Sequence, residues 1–164
     1  MLIFLRYQPM KRSVDSGRFL SKITVAAVIQ NNENQYLMVE ENTSDGIKIN
    51  QPAGHLEKNE TVVEAVIREV KEETGLVFIP LFLVSVHQLF LNSSSFFRFN
   101  FYGEVDFNLE PFSDEKQILK ISWLDESYLT KKKKMLRSKC VLAAINDFKQ
   151  GLKIPLSTIK NLNV

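Results

Sequence analysis

A single cysteine, Cys140, in a chain of 164 residues leaves no partner for a disulfide within the chain. Such sparing use of thiols fits a reducing compartment, the cytoplasm. Cys140 falls in an apolar helical stripe with Leu136, Val141, Ala144, Ile145 and Phe148, which makes it core filler rather than a nucleophile. Long apolar runs are also missing: none reaches the roughly 18 residues of a membrane span. Met1-Leu2-Ile3-Phe4-Leu5 is too short for a signal peptide, and its basic residue, Arg6, lies on the wrong side. Charge of one sign is not in excess. Twenty-one Lys and Arg against nineteen Asp and Glu leave a formal +2, which argues against nucleic acid as a general partner. There are no internal repeats and no low-complexity linker. With 45% hydrophobic and 24% charged residues, the chain suits one domain with a substantial core, preceded by an extension over residues 1–20. The domain is expected over 21–164, as a monomer or a homodimer.

The chain then alternates in period. Ile23–Ile29 and Gln35–Glu40 flank Asn31-Asn32-Glu33-Asn34, which predicts a hairpin. A looser loop, Asn42–Gly46, leads to a short strand at Ile47–Asn50. Leu81–Leu91 and Phe96–Val105 predict a second hairpin about Asn92-Ser93-Ser94-Ser95. An acidic loop, Asp106–Lys116, precedes a strand at Ile118–Trp123. Asp125 is placed to cap a short helix, and a last helix runs near Ser138–Gln150 and stops at Gly151. Strands between two main helices predict an α/β fold with an α/β/α layer arrangement.

The densest signal lies between Gly54 and Leu76. Val62, Val63, Ala65, Val66, Ile67 and Val70 are apolar at helical spacing, Thr61-Val62-Val63-Glu64 has the form of a capping box, and Gly75 supplies the left-handed stop. Three acids, Glu69, Glu72 and Glu73, crowd the last turns of this helix. That is the unfavourable end, where each acid costs roughly 0.3–1 kcal/mol against the helix dipole. The Glu69–Glu72 and Glu69–Glu73 pairs add about 0.2–0.5 kcal/mol of repulsion each. A bound divalent cation reverses the sign of all these effects. At about 100° per residue the apolar stripe spans roughly 0–140° from Val62, and Glu73 falls near 20°, inside its margin. A carboxylate carried toward an apolar interior needs a partner or a metal. Arg68, near 240°, is placed to hold and orient Glu72. Upstream, the prolyl and glycyl residues of Gln51-Pro52-Ala53-Gly54-His55 predict a tight loop whose carbonyls face a cation. Loop and helix together form an expected platform for Mg²⁺, which prefers oxygen ligands and substrate phosphates.

Gly54, Glu60, Arg68, Glu69, Val70, Glu72, Glu73, Gly75 and Leu76 fill every defined position of the pattern GX5EX7REUXEEXGU, where U is a bulky aliphatic. On these residues the chain resembles the Nudix hydrolase family. The resemblance implies a Nudix fold with a mixed β-sheet and a loop-helix-loop motif, and hydrolysis of a pyrophosphate linkage with Mg²⁺ or Mn²⁺. It places the metal on Glu69, Glu72 and Glu73, with Gly54 and Glu60 nearby and Arg68 in a supporting salt bridge. Asn50-Gln51-Pro52-Ala53-Gly54-His55-Leu56-Glu57, His87-Gln88, Phe97-Arg98-Phe99, Leu136-Arg137-Ser138 and Gln150-Gly151 followed by Pro155-Leu156 are similar to the bacterial NudJ subgroup. Ile49 departs from it, standing where a tryptophan is usual. This second likeness implies a small-molecule pyrophosphate substrate: thiamine pyrophosphate or hydroxymethylpyrimidine pyrophosphate, with nucleoside di- and triphosphates as further substrates. The rival readings are a broad nucleotide or ADP-ribose pyrophosphohydrolase, a hydrolase of 5′-triphosphorylated RNA and a nucleotide-sensing domain without catalysis.

Outside the motif, Glu115, with neighbours Asp114 and Glu110, is a candidate metal ligand or general base, since Nudix relatives often supply one more acid from such a loop. His87 and His55 are candidate substrate contacts by the same likeness. Arg98 alternates with Phe97 and Phe99 and so projects to the opposite face, where its guanidinium suits a diphosphate. Phe96, Phe97, Phe99 and Phe101 are core by default, though one of them could stack on a ring. Lys131–Lys134 is a solvated run.

Overall fold

The computed structural model describes residues 20–91 and 94–162. The extension expected over 1–20 lies outside these residues except for Leu20, as do Asn92 and Ser93 of the second hairpin's turn. The elements are β1 (Ser21–Val28), β2 (Tyr36–Thr43), β3 (Gly46–Asn50), β4 (Ala53–His55), α1 (Val62–Thr74), β5 (Ile79–Leu91), β6 (Ser94–Glu104), β7 (Ile118–Leu124), α2 (Glu126–Lys131), α3 (Cys140–Lys149), β8 (Ile154–Pro155) and a 3₁₀ turn at Leu156–Thr158. Among them, no helix is long and apolar enough to cross a membrane.

Two sheets form, of five strands in the order β4-β1-β6-β5-β8 and of three in the order β3-β2-β7. The larger is mixed, since β1 runs parallel to β6 and the other neighbours are antiparallel. The first expected hairpin is therefore corrected. Asn31 does make a turn, its Oδ1 accepting from Glu33 and Gln35 N–H, but only the isolated Gln30–Tyr36 bridge joins the two arms before they part into separate sheets. The loop expected at Asn42–Gly46 is instead a tight hairpin between β2 and β3, closed at Thr43 and Gly46 with Gly46 at φ +90. The second hairpin, β5 with β6, is as expected.

Period-2 alternation assigns successive side chains of β1 to opposite layers. Val25, Ala27 and Ile29 join Leu37, Val66, Val70 and Phe101 in a core under α1, whereas Val28 joins Tyr36, Met38, Ile49, Val141 and Ile145 in a core under α3. Helix α1 is set by its ends as the sequence predicts. Thr61 Oγ1 accepts from Glu64 N–H at 3.1 Å, Glu64 Oε2 accepts from Thr61 N–H at 2.8 Å, and Gly75 closes the helix at φ +70. Its inner face is anchored by Val66 and Val70, both fully buried, each contributing about 1.5–3 kcal/mol. Ala65 is fully buried too, off the expected stripe, because α1 also packs on β4. The acids of α1 consequently lie along a seam between a helix and a strand.

Candidate active site

A cleft of about 850 Å³ opens along that seam, lined among others by Glu41, Asn50, Ala53, His55, Arg68, Glu69, Glu72, Glu73, Phe96, Arg98 and Glu115. The segment expected as a loop at Ala53–His55 is strand β4, antiparallel to β1 with Val25 opposite Gly54. In this register the backbone groups of Gly54 face β1, and those of Ala53 and His55 face α1. Ala53 N–H donates to Glu73 Oε2 at 2.9 Å, and His55 O accepts from Arg68 Nη2 at 3.0 Å. Gly54 thus enters the site differently from the expected carbonyl ligand. A Cβ on it would lie 2.0 Å from Glu69 Oε1, so glycine is what lets the carboxylate settle against the strand. The backbone that faces the acids is Ala53, a residue the motif leaves undefined.

Arg68 organises one side of the cleft. Its Nη1 donates to Glu69 Oε1 at 2.8 Å and to Glu72 Oε2 at 2.9 Å, while Nε and Nη2 donate to the Glu60 carboxylate at 3.0 and 2.8 Å. The expected hold on Glu72 is present, together with three contacts that the helical wheel did not foresee. Hydrogen bonds from Arg68 keep Glu60 below the usual carboxylate range, against desolvation. Burial pushes Glu69 up. Glu73, 7% exposed, is pushed up to about 8, chiefly by burial and further by the charge of Glu41, which outweighs that of Glu69.

In this arrangement no three acidic, histidine or cysteine side chains converge as a metal cage among the described residues. Glu69 and Glu72 share one guanidinium nitrogen, while Glu73 turns to Ala53. The donor set nevertheless fits a hard dication. It is made of carboxylate oxygens, the glycine cradle presses one of them into the seam, and Oε1 of Glu41 is buried with no hydrogen-bond partner.

Arg98 lies on the wall toward α3, and the expected alternation holds, with Phe99 and Phe101 in the core under α1. Arg98 is 7% exposed. Its Nε donates to Asn100 Oδ1 at 3.2 Å and its Nη2 to Asn50 Oδ1 and Gln51 Oε1 at 3.2 and 3.0 Å. Among the described residues no carboxylate pairs with it. Burial lowers its pKa to about 10, against the opposing charges of Glu41 and Glu73, so it remains a cation at neutral pH, held by amides with no carboxylate in ion-pair contact.

The remaining candidates divide. The loop before β7 is tied to the end of α1 by Phe112 N–H to Thr74 O and Ser113 Oγ to Glu72 O, which brings Glu115 to the cleft wall and leaves Asp114 and Glu110 off it. His55 lies at the mouth with its ring 6.2 Å from that of Phe96. Burial, with Lys22 and Arg137, holds its pKa below the ordinary imidazole value. His87 departs from the expectation of a substrate contact. It is off the cleft lining, its Nε2 lies 2.7 Å from Asp147 Oδ2 and its Nδ1 faces Asn100 Nδ2 at 3.3 Å. It steadies the amide that holds Arg98. Lys131–Lys134 is exposed and away from the cleft, and Cys140 is buried as expected.

Against known proteins, the NUDIX domain family matches residues 20–144. Phosphatase NudJ of Escherichia coli K12 is 34% identical over 146 residues, which covers 88% of this chain and 94% of NudJ. NudJ of Shigella sonnei matches to the same extent. A NUDIX hydrolase from Nitrosomonas europaea superposes with a TM-score of 0.79 at 34% identity, over 87% of this chain and 98% of that one. The MutT protein from Methanosarcina mazei Go1 superposes at 0.69 and 22% identity, over 83% and 99%, which speaks for the fold alone. Family match, identity along most of both chains and shared fold agree with the motif residues gathered on this cleft: the chain belongs to the Nudix hydrolases.

Proposed function

We propose that this Nudix hydrolase cleaves the pyrophosphate linkage of a small ring-bearing diphosphate, with thiamine pyrophosphate and hydroxymethylpyrimidine pyrophosphate as favoured substrates and nucleoside di- and triphosphates beside them. The observation that carries this reading is Arg98: a buried cation hydrogen-bonded to amides and in ion-pair contact with no carboxylate among the described residues, on a cleft wall shared with the acids of α1. A buried charge left unpaired is costly, and a substrate phosphate relieves it. Phosphatase NudJ, at 34% identity, supports the choice among Nudix substrates.

Glu69, Glu72 and Glu73 would hold Mg²⁺ or Mn²⁺, with the Ala53 backbone beside them and Glu60 behind Arg68. The ion, when bound, neutralises phosphate charge and acidifies a water. Arg68 fixes Glu69 and Glu72 so that their oxygens stay on the cleft. Arg98 positions the diphosphate, and the neutral ring of His55 with Phe96 offers a face for the heteroaromatic group. Glu115 or Glu72, both exposed on the cleft lining, would take the proton of the attacking water.

Phosphate release from a panel of diphosphates with Mg²⁺ tests the reading. Release is expected, lost on chelation and reduced about 100-fold or more in Glu72→Gln or Glu73→Gln. Near wild-type turnover in both variants would overturn the metal assignment. A second reading is a sensor: the NUDIX domain of Shewanella oneidensis NrtR, sharing this fold at 15% identity, was solved with ADP-ribose. Measurable ligand binding with no release across the panel would favour it.

A further inference from the structure

Glu41 lines the cleft from β2 rather than from α1, and the motif gives it no part. It sits on β2 of the three-stranded sheet, where the pairing with β7 slips between Glu40 and Glu41. Such a slip bends the strand and re-aims a side chain, as happens beside active sites. Among the described residues, Oε1 of Glu41 is the side-chain atom buried with no hydrogen-bond partner. Lys48, on β3, is the cross-strand neighbour of Glu41 yet makes no ion pair with it among the described residues, and Glu73, from α1, and Arg98, from β6, line the same cleft. Arg98 already spends Nε and Nη2 on Asn100, Asn50 and Gln51.

An N–H donor from a ligand would satisfy Oε1, but the cleft that Glu41 lines also carries the carboxylates of Glu69, Glu72 and Glu73, the kind of oxygen set a hard dication takes. A dication answers the buried oxygen and gathers it with the others, since its charge is the largest in such a site. We propose that Glu41 is a further oxygen ligand of the divalent cation, so that the bound ion ties the three-stranded sheet to α1. This rests on the cation site proposed above.

The test measures Mn²⁺ binding to the full chain without substrate, by calorimetry or electron spin resonance, and the rise in Tm that Mn²⁺ brings. In Glu41→Gln the Kd for Mn²⁺ is expected to rise tenfold or more, and the Mn²⁺-dependent rise in Tm to shrink with it. Glu41→Asp, which keeps the charge but withdraws it by a methylene, is expected to weaken binding as well and serves if the glutamine variant folds poorly. Glu69→Gln is the control. If it loses Mn²⁺ while both Glu41 variants bind as the wild type does, the inference fails and the cation site stands. If the wild type binds no Mn²⁺, the underlying reading fails instead. Unchanged Mn²⁺ binding with a raised KM confined to amino-bearing substrates would make Glu41 a ring contact and overturn the proposal.

Discussion

Replacing Gly54 with alanine adds one methyl group and tests why the motif begins with glycine. The residue is not among those at positive φ and sits in a regular strand pairing, so alanine brings no backbone strain of its own. The added Cβ would lie 2.0 Å from Oε1, 2.1 Å from Cδ and 2.2 Å from Oε2 of Glu69, where ordinary contact begins at 3.4 Å. The carboxylate must therefore retreat by about 1.4 Å, beyond the ~1 Å misplacement that can cost 100-fold in rate. Its bond from Arg68 Nη1, now 2.8 Å, would be strained or lost, at roughly 1.5–3 kcal/mol if nothing replaces it. The fold should survive, because α1 remains capped and its apolar face is untouched. Expected are a two-state melt displaced by no more than that amount and a kcat for phosphate release at saturating Mg²⁺ lower by about 100-fold. A Gly54→Ala enzyme whose kcat stays within about threefold of wild type would show that the Glu69 carboxylate need not sit against β4, and the account of the seam would be wrong.

Arg98→Lys keeps the charge but loses the planar fork that reaches Asn50, Gln51 and Asn100, so KM for a diphosphate is expected to rise about tenfold or more; an unchanged KM in steady-state assays would remove Arg98 from the substrate site. Glu60 is held below its ordinary value by Arg68, so its stabilising contribution is full above about pH 4.5 and is lost as pH falls through the lower folded value. Thermal melts should accordingly drop less steeply on the acid side for Glu60→Gln than for the wild type, and parallel acid limbs would contradict this. Thr61→Ala removes the cap from α1 and should cost about 0.5–2 kcal/mol in denaturant unfolding; no shift in the midpoint would mean that the cap adds nothing to the packed helix.

What could be read along the chain was what depends on neighbours in sequence. The capping box at Thr61, the stop at Gly75, the inward tilt of Glu73 and the hold of Arg68 on Glu72 follow from helical periodicity, and each appears in the structure. The face of Arg98 followed from strand alternation. The division of β1 and β2 between two sheets was not legible, because a turn signal such as Asn31–Asn34 fixes a reversal of direction and not the partner of the strand that follows. The surroundings of His87 were not legible for the same reason: nothing near it in sequence announces Asp147, which α3 delivers from 60 residues away.

The spacing of acids, arginine and glycine between Gly54 and Leu76 was sufficient by itself to name the family and the oxygen-rich character of the site, since a helix and its caps are local interactions repeated every few residues. Tertiary structure alone decided that Ala53 rather than Gly54 turns its backbone to the acids, that Arg98 is buried among amides, and that Glu41 brings an unpartnered oxygen to the same cleft. Those outcomes depend on strand register and on which layers close over one another, and such long-range packing brings together charges that no local pattern relates.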